Sequence, residues 1–178
     1  MENAFPIILE LQTPQSADKI LSFTKTVLSR INEHKELSTE QQRRIKLILI
    51  ELVTNSIKHS EDGTSQIKLV IDHPSLTIQK SEKGLQIEFS SGSQQIPFPE
   101  IDKRLKISFS EQNKHHIQTL DKYKFRFLNP YLEGLSIEHM PEHFGFYIIT
   151  MASDSFIYQY DPEVKENRYI VNIDFPEA

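Results

Sequence analysis

The residues best suited to chemistry lie in one decapeptide, ELVTNSIKHS, Glu51 to Ser60. Glu51, Asn55 and His59 recur every four residues, so in a helix they share one face, with Lys58 beside them. Ile45, Ile48, Leu49, Leu52, Val53 and Ile57 mark the same segment as a helix apolar on nearly all sides. On such a helix an unmade hydrogen bond costs about 1–3 kcal/mol, and an unpaired charge costs more. Two readings stand. In the first, the polar stripe is the solvent face of an amphipathic helix. In the second, it is the wall of a site. Glu51 then acts as a base or orients water. Asn55 offers a neutral oxygen to Mg²⁺, an ion that keeps several waters and takes few protein ligands. Lys58 faces phosphate charge.

The elements that must hold this stripe can be read around it. Residues 4–11 alternate as a strand closed by Pro14, and 17–34 carry the apolar spacing of an amphipathic helix. Ser38 and Gln41 form a capping-box pattern that opens the stripe-bearing helix, expected over 39–59, with Gly63 just past its end. A period of two then runs through Ile67, Leu69 and Ile71, through Leu76, Ile78 and Lys80, and through Leu85, Ile87 and Phe89. Turns at His73-Pro74-Ser75 and Ser81-Glu82-Lys83-Gly84 make this a three-strand meander. Residues 90–142 are expected to be a loop-rich, lid-like region. A helix is expected over 142–152, and strands over 155–160 and 168–175 as a terminal hairpin. The order β, α, α, β, β, β, loop, α, β, β predicts an α+β fold. It would be a two-layer sandwich whose mostly antiparallel or mixed sheet carries helices on one face.

At 178 residues the chain suits one domain, taken here as 1–178. It has no cysteine, which removes disulfide, thiol and thiolate chemistry and fits a cytoplasmic protein. A net charge of −5 argues against a general nucleic-acid binder. No apolar run is long enough to span a membrane, and the N-terminus lacks the basic flank of a secretory signal. Five glycines are few, so a site built from several glycine-rich loops cannot be complete here. The alternating KYKFRF segment, residues 122–127, could stack single-stranded nucleic acid, but a strand with one buried aromatic face is the simpler account. His139 and His143 are four apart with Pro141 between them, a poor basis for a zinc site.

ELVTNSIKHS resembles the asparagine-bearing helix motif of the Bergerat-fold (GHKL) ATP-binding superfamily, above all the anti-sigma-factor serine kinases and the histidine-kinase-like ATPase domain. HFGFYIITMASDSFIYQY, residues 143–160, resembles that group's glycine-box helix and following strand, and ENRYIVNIDF its last strand. The resemblance implies a histidine-kinase-like ATPase fold that binds ATP and Mg²⁺. Asn55 would sit on the metal, Glu51 would be the general base, Lys58 and His59 would lie near the phosphates, and Gly145 would lie where backbone N–H groups meet phosphate. It implies an ATP-binding regulatory protein of the anti-sigma type that transfers phosphoryl groups to a partner of sigma-factor or antagonist kind, and it fits a homodimer. The family's Asp-x-Gly-x-Gly loop, which reads adenine, has no direct counterpart. Its aspartate falls at Glu82, with Gly84 as the retained glycine, or near Ser90. Glu82 reads more simply as a hairpin-turn residue. The first glycine of the last box is replaced by His143. These departures sustain an alternative: a degenerate Bergerat-fold module without ATP turnover that regulates by binding a partner protein.

Overall fold

The computed structural model describes residues 6–59, 65–129 and 144–175. The fold is α+β, built on one eight-stranded sheet. In chain order the elements are β1 (Ile7–Gln12), a 3₁₀ turn (Ala17–Lys19), α1 (Ile20–Asn32), α2 (Thr39–His59), β2 (Ser65–Asp72), β3 (Ser75–Lys83), β4 (Arg104–Ser108), β5 (Lys114–Asp121), β6 (Lys124–Phe127), α3 (Gly145–Ala152), β7 (Ser155–Asp161) and β8 (Glu166–Asp174). The sheet order is β1-β2-β3-β8-β7-β6-β5-β4. Every ladder is antiparallel, so the mixed-sheet variant does not occur among the described residues.

Helix α2 has the expected bounds. Both halves of its capping box are made: the Ser38 N–H donates to Gln41 Oε1 at 2.8 Å, and the Gln41 N–H donates to Ser38 Oγ at 3.2 Å. Its apolar stripe, Ile45, Ile48, Leu49, Leu52 and Val53, is fully buried and joins Ile67, Leu69, Ile78 and Val171 of the sheet in one core. Arg44 ties α2 to the α3–β7 junction. Its Nε donates to the Ala152 carbonyl at 2.8 Å, and its guanidinium meets Asp154 at 2.7 Å.

Two expectations require correction. Residues 85–89 do not form the third strand of a meander. The outer edge of β3 is taken by β8 instead, and side chains capture the 85–89 backbone. Asn167 Nδ2 donates to the Leu85 carbonyl at 3.0 Å, and the Ile87 N–H donates to Tyr158 Oη at 3.1 Å. The Gln95 carboxamide stands in for a strand partner. It accepts from the Phe89 N–H at 3.0 Å and donates to the Phe89 carbonyl at 2.8 Å. The second correction concerns 90–142. Its stretch 104–127 forms β4, β5 and β6, which extend the sheet. In KYKFRF, Phe125 and Phe127 are buried, the simpler of the two readings of that segment.

The added strands bring an aromatic cluster with a histidine inside it. His115 of β5 is buried and stacks on Tyr147 of α3, with ring centroids 4.0 Å apart. It also contacts Phe109, Phe127 and Phe146 edge-on. Burial, with the nearby His116, lowers its pKa from 6.5 to about 3. The unfolded chain therefore binds a proton below pH 6.5 that the folded chain refuses, so stability falls as pH falls from about 6.5 towards 3. Each pH unit in that window removes about 1.4 kcal/mol. His115→Phe keeps the aromatic packing and should flatten this dependence, as urea titrations at pH 7, 6, 5 and 4 will show. An unchanged slope would assign the acid sensitivity elsewhere.

Candidate functional site

A cavity of about 820 Å³ lies between α2, the start of α3, the β3–β8 floor and the tip of the β4–β5 hairpin. Glu51, Asn55, Lys58 and His59 of α2 line one side. The four polar residues of the α2 stripe thus share one wall of this cavity. Glu51 and Asn55 are half-buried, while Lys58 and His59 are exposed towards the mouth. Burial raises the Glu51 pKa above its usual value, and the Lys58 charge opposes that rise. Such a carboxylate is a better proton acceptor than one on open surface.

Gly145 opens α3 directly over this pair. A Cβ built at Gly145 would stand 3.0 Å from Glu51 Oε2 and 3.1 Å from Asn55 Nδ2. The missing side chain is thus what lets the α3 backbone approach both polar groups. The helix has no side-chain cap at Phe144 and no acidic residue in its first turn. The positive end of its dipole therefore carries no capping group from the helix itself. Gly145→Ala should disturb the site more than the fold, because the crowded atoms are the ends of side chains that can turn away. The expected outcome is a stability change within about 1 kcal/mol together with loss of any ligand that needs Glu51 and Asn55 side by side. Thermal melts and calorimetry check the two parts separately.

Glu82 also lines the cavity, but it is a strand residue rather than a turn residue, which corrects the simpler reading given above. It pairs with Ser65 of β2 and Asn167 of β8 in register and points at α2. Ser56 Oγ donates to Glu82 Oε2 at 2.9 Å. The Lys80 ammonium lies 2.9 Å from the same oxygen, off the axis of a hydrogen bond, and is fully buried. Burial lowers the Lys80 pKa, and Glu82 counters that shift. Lys80 also faces the Tyr169 ring at 4.4 Å, and the nearby Glu82 charge adds to burial in raising the Tyr169 pKa. Behind them, Ser65 Oγ donates to Ser56 Oγ at 2.9 Å, and Thr13 shares a short hydrogen bond with Ser65. The Glu82 carboxylate is thus held by two internal partners, the Ser56 hydroxyl and the Lys80 ammonium.

Gly84 does not line the cavity. Its φ of +143° turns the chain out of β3, and its N–H donates to the Lys165 carbonyl at 3.0 Å. It places Ile87 and Glu88, which do line the cavity. Ser90, the other position weighed for the adenine-reading residue, is not in the lining. Its N–H bonds to the Ser108 carbonyl. Gly63, Pro141, His139 and His143 lie outside the described residues.

The lining residues missing from the sequence-based set include three from the β4–β5 hairpin. Phe109, Ser110 and Asn113 at the hairpin tip complete the wall, and Tyr169 of β8 lies on the floor. Ser110-Glu111-Gln112-Asn113 is a fair turn sequence and could have flagged the hairpin, but nothing local says that its tip reaches α2. Ser56, buried on α2, is one residue from Asn55 and was hidden by its small size.

Among the described residues no group of three or more His, Asp and Glu side chains could hold a metal. Among them, too, no helix is long and apolar enough to cross a membrane. No family model matches the chain, and no curated protein matches it in sequence.

Proposed function

We propose that this chain is a nucleotide-binding regulatory domain of the histidine-kinase-like ATPase type, with its helices layered on one face of the sheet. It takes Mg·ATP in the α2–α3 cavity and passes the terminal phosphoryl group to a hydroxyl of a partner protein. The observation that carries this reading is the approach of the Gly145 backbone to Glu51 and Asn55 on the wall of a cavity of about 820 Å³. That volume falls within the range of small-molecule sites.

The donor set fits Mg²⁺ delivered by a nucleotide. Asn55 would hold it through its side-chain oxygen, and no protein cage is needed. When bound, the ion would offset phosphate charge. The uncapped α3 terminus and Lys58 present positive potential on the same side. Glu51 accepts the proton of the attacking hydroxyl, aided by its raised pKa. Catalysis would then rest mainly on positioning and charge. By the resemblance, the acceptor is a regulator of sigma-factor or antagonist type, and the working unit is a homodimer.

One observation favours the second reading, a partner-binding module without turnover. Glu82, one of the two positions weighed for the adenine-reading residue, is already engaged by Lys80 and Ser56. Titration calorimetry with ATP and ADP, with and without Mg²⁺, separates the two. Micromolar Mg²⁺-dependent binding supports the nucleotide reading. No heat at millimolar nucleotide, from folded protein, overturns it and leaves partner binding.

A further inference from the structure

Away from this cavity, α1 and α2 enclose a groove of about 550 Å³ on the helical side of the molecule. We propose that it receives an acidic amphipathic helix of a partner protein. Its apolar line is Leu21, Thr24 and Leu28, at the i, i+3, i+7 spacing of one helix face. Leu21 is 57% exposed. Thr24 turns its hydroxyl back to the Ile20 carbonyl at 2.8 Å, so the groove floor offers no free polar group there.

The rim is Lys25, Arg43 and Lys46, all exposed. Among the described residues no carboxylate lines the groove. Among the described residues none of these three cations forms an ion pair, whereas the adjacent Arg44 is committed to Asp154. The whole chain carries −5, so this concentration of unpaired positive charge runs against the molecule's own balance. Apolar anchors flanked by unpaired cations match a helix whose apolar residues lie at i, i+3, i+4 and i+7, with carboxylates on either side. The charges would steer the encounter and fix its register. Along α1 the groove runs from Leu21 to Leu28, about 10 Å, enough for roughly two turns of such a helix.

The test uses the full chain and three fluorescein-labelled synthetic 16-residue helices with the same leucine face. Their flanking residues are Glu, Gln or Lys. The groove variant is K25E/R43E/K46E, three exposed substitutions whose folding is checked by circular dichroism. The expected result is saturable binding of the Glu peptide at 50 mM salt, weaker by tenfold or more for the Gln peptide and for the variant. Peptide-induced amide shifts should be confined to α1 and α2. Transfer of preference to the Lys peptide in the variant would add support. No binding of the Glu peptide at millimolar concentration would overturn the proposal, as would shifts mapping elsewhere. Binding of heparin or phosphatidylserine vesicles with no peptide binding would also overturn it, since the groove would then read charge alone. A concentration-dependent dimer lost in the triple variant would overturn it too, giving the groove to a second copy of this chain.

Discussion

Asn55→Ala should lower Mg²⁺-dependent ATP affinity about 100-fold, some 2.7 kcal/mol, while the protein melts within a few degrees of the parent. The argument starts from position. Asn55 is half-buried on a helix whose opposite stripe holds the core, so truncation removes a cavity-facing group and no core contact. Affinity for ATP measured without Mg²⁺ should hardly change, because only the metal-bridged contact is lost. Glu51→Gln makes the complementary case. It keeps the shape and the hydrogen-bonding reach of the side chain but cannot take a proton. Nucleotide affinity should survive, and phosphoryl transfer should fall by two orders of magnitude or more. If Asn55→Ala leaves Mg²⁺-dependent affinity unchanged, the metal role assigned to this residue is wrong.

Glu82→Ala should be the most destabilising single change at the site, at about 3–5 kcal/mol. It strips the countercharge from Lys80, whose ammonium is fully buried under Tyr169. The sign with pH is specific. In the variant the folded state holds the Lys80 proton less tightly than the unfolded state does, because burial now acts with no opposing carboxylate. The unfolded chain then binds more protons below its ordinary value of 10.5, so the variant should regain stability as pH rises towards that value. The paired change Lys80→Met with Glu82→Gln removes both charges and keeps the volume. It should lie within about 2 kcal/mol of the parent. Urea titrations of the three proteins at pH 7 and 9 decide the matter. A single variant as stable as the parent would mean that the pair contributes nothing to holding Lys80 inside.

The sequence made some of this legible and hid the rest for definite reasons. α2 announced itself because its capping box and its apolar stripe agree on one set of bounds, and nothing tertiary opposes them. β7 and β8 were equally plain, since alternation and an Asp161-Pro162 turn coincide. Residues 85–89 alternate just as well, yet form no strand. Their would-be neighbour position is filled by β8, which is remote in sequence, and the side chains of Asn167, Tyr158 and Gln95 take over the backbone partners. Glu82 was misassigned because Ser-Glu-Lys-Gly is good turn chemistry, and only the pull of Ser56 and Lys80 shows that the strand runs on. The α2 stripe could be placed on a helix face from spacing alone. That it meets Gly145 depends on how α3 packs, which no local pattern states.

The place of β8 in the sheet has a kinetic consequence. This late strand is not at an edge: it sits between β3 and β7, and its pairs join Ser75 to Asp174 and Ser155 to Asn172. Until residues 166–174 exist, β1-β2-β3 and β7-β6-β5-β4 are two separate half-sheets, each with an open edge. The ladder that welds them closes a long loop of chain, the kind of non-local contact that slows folding and leaves strand edges exposed meanwhile. Glu82 and Lys80 depend on the same strand, since they pair with Asn167 and Tyr169 of β8. The floor of the cavity is therefore among the last parts of the molecule to exist, and a chain cut short before β8 would have the α2 stripe without a site for it to line.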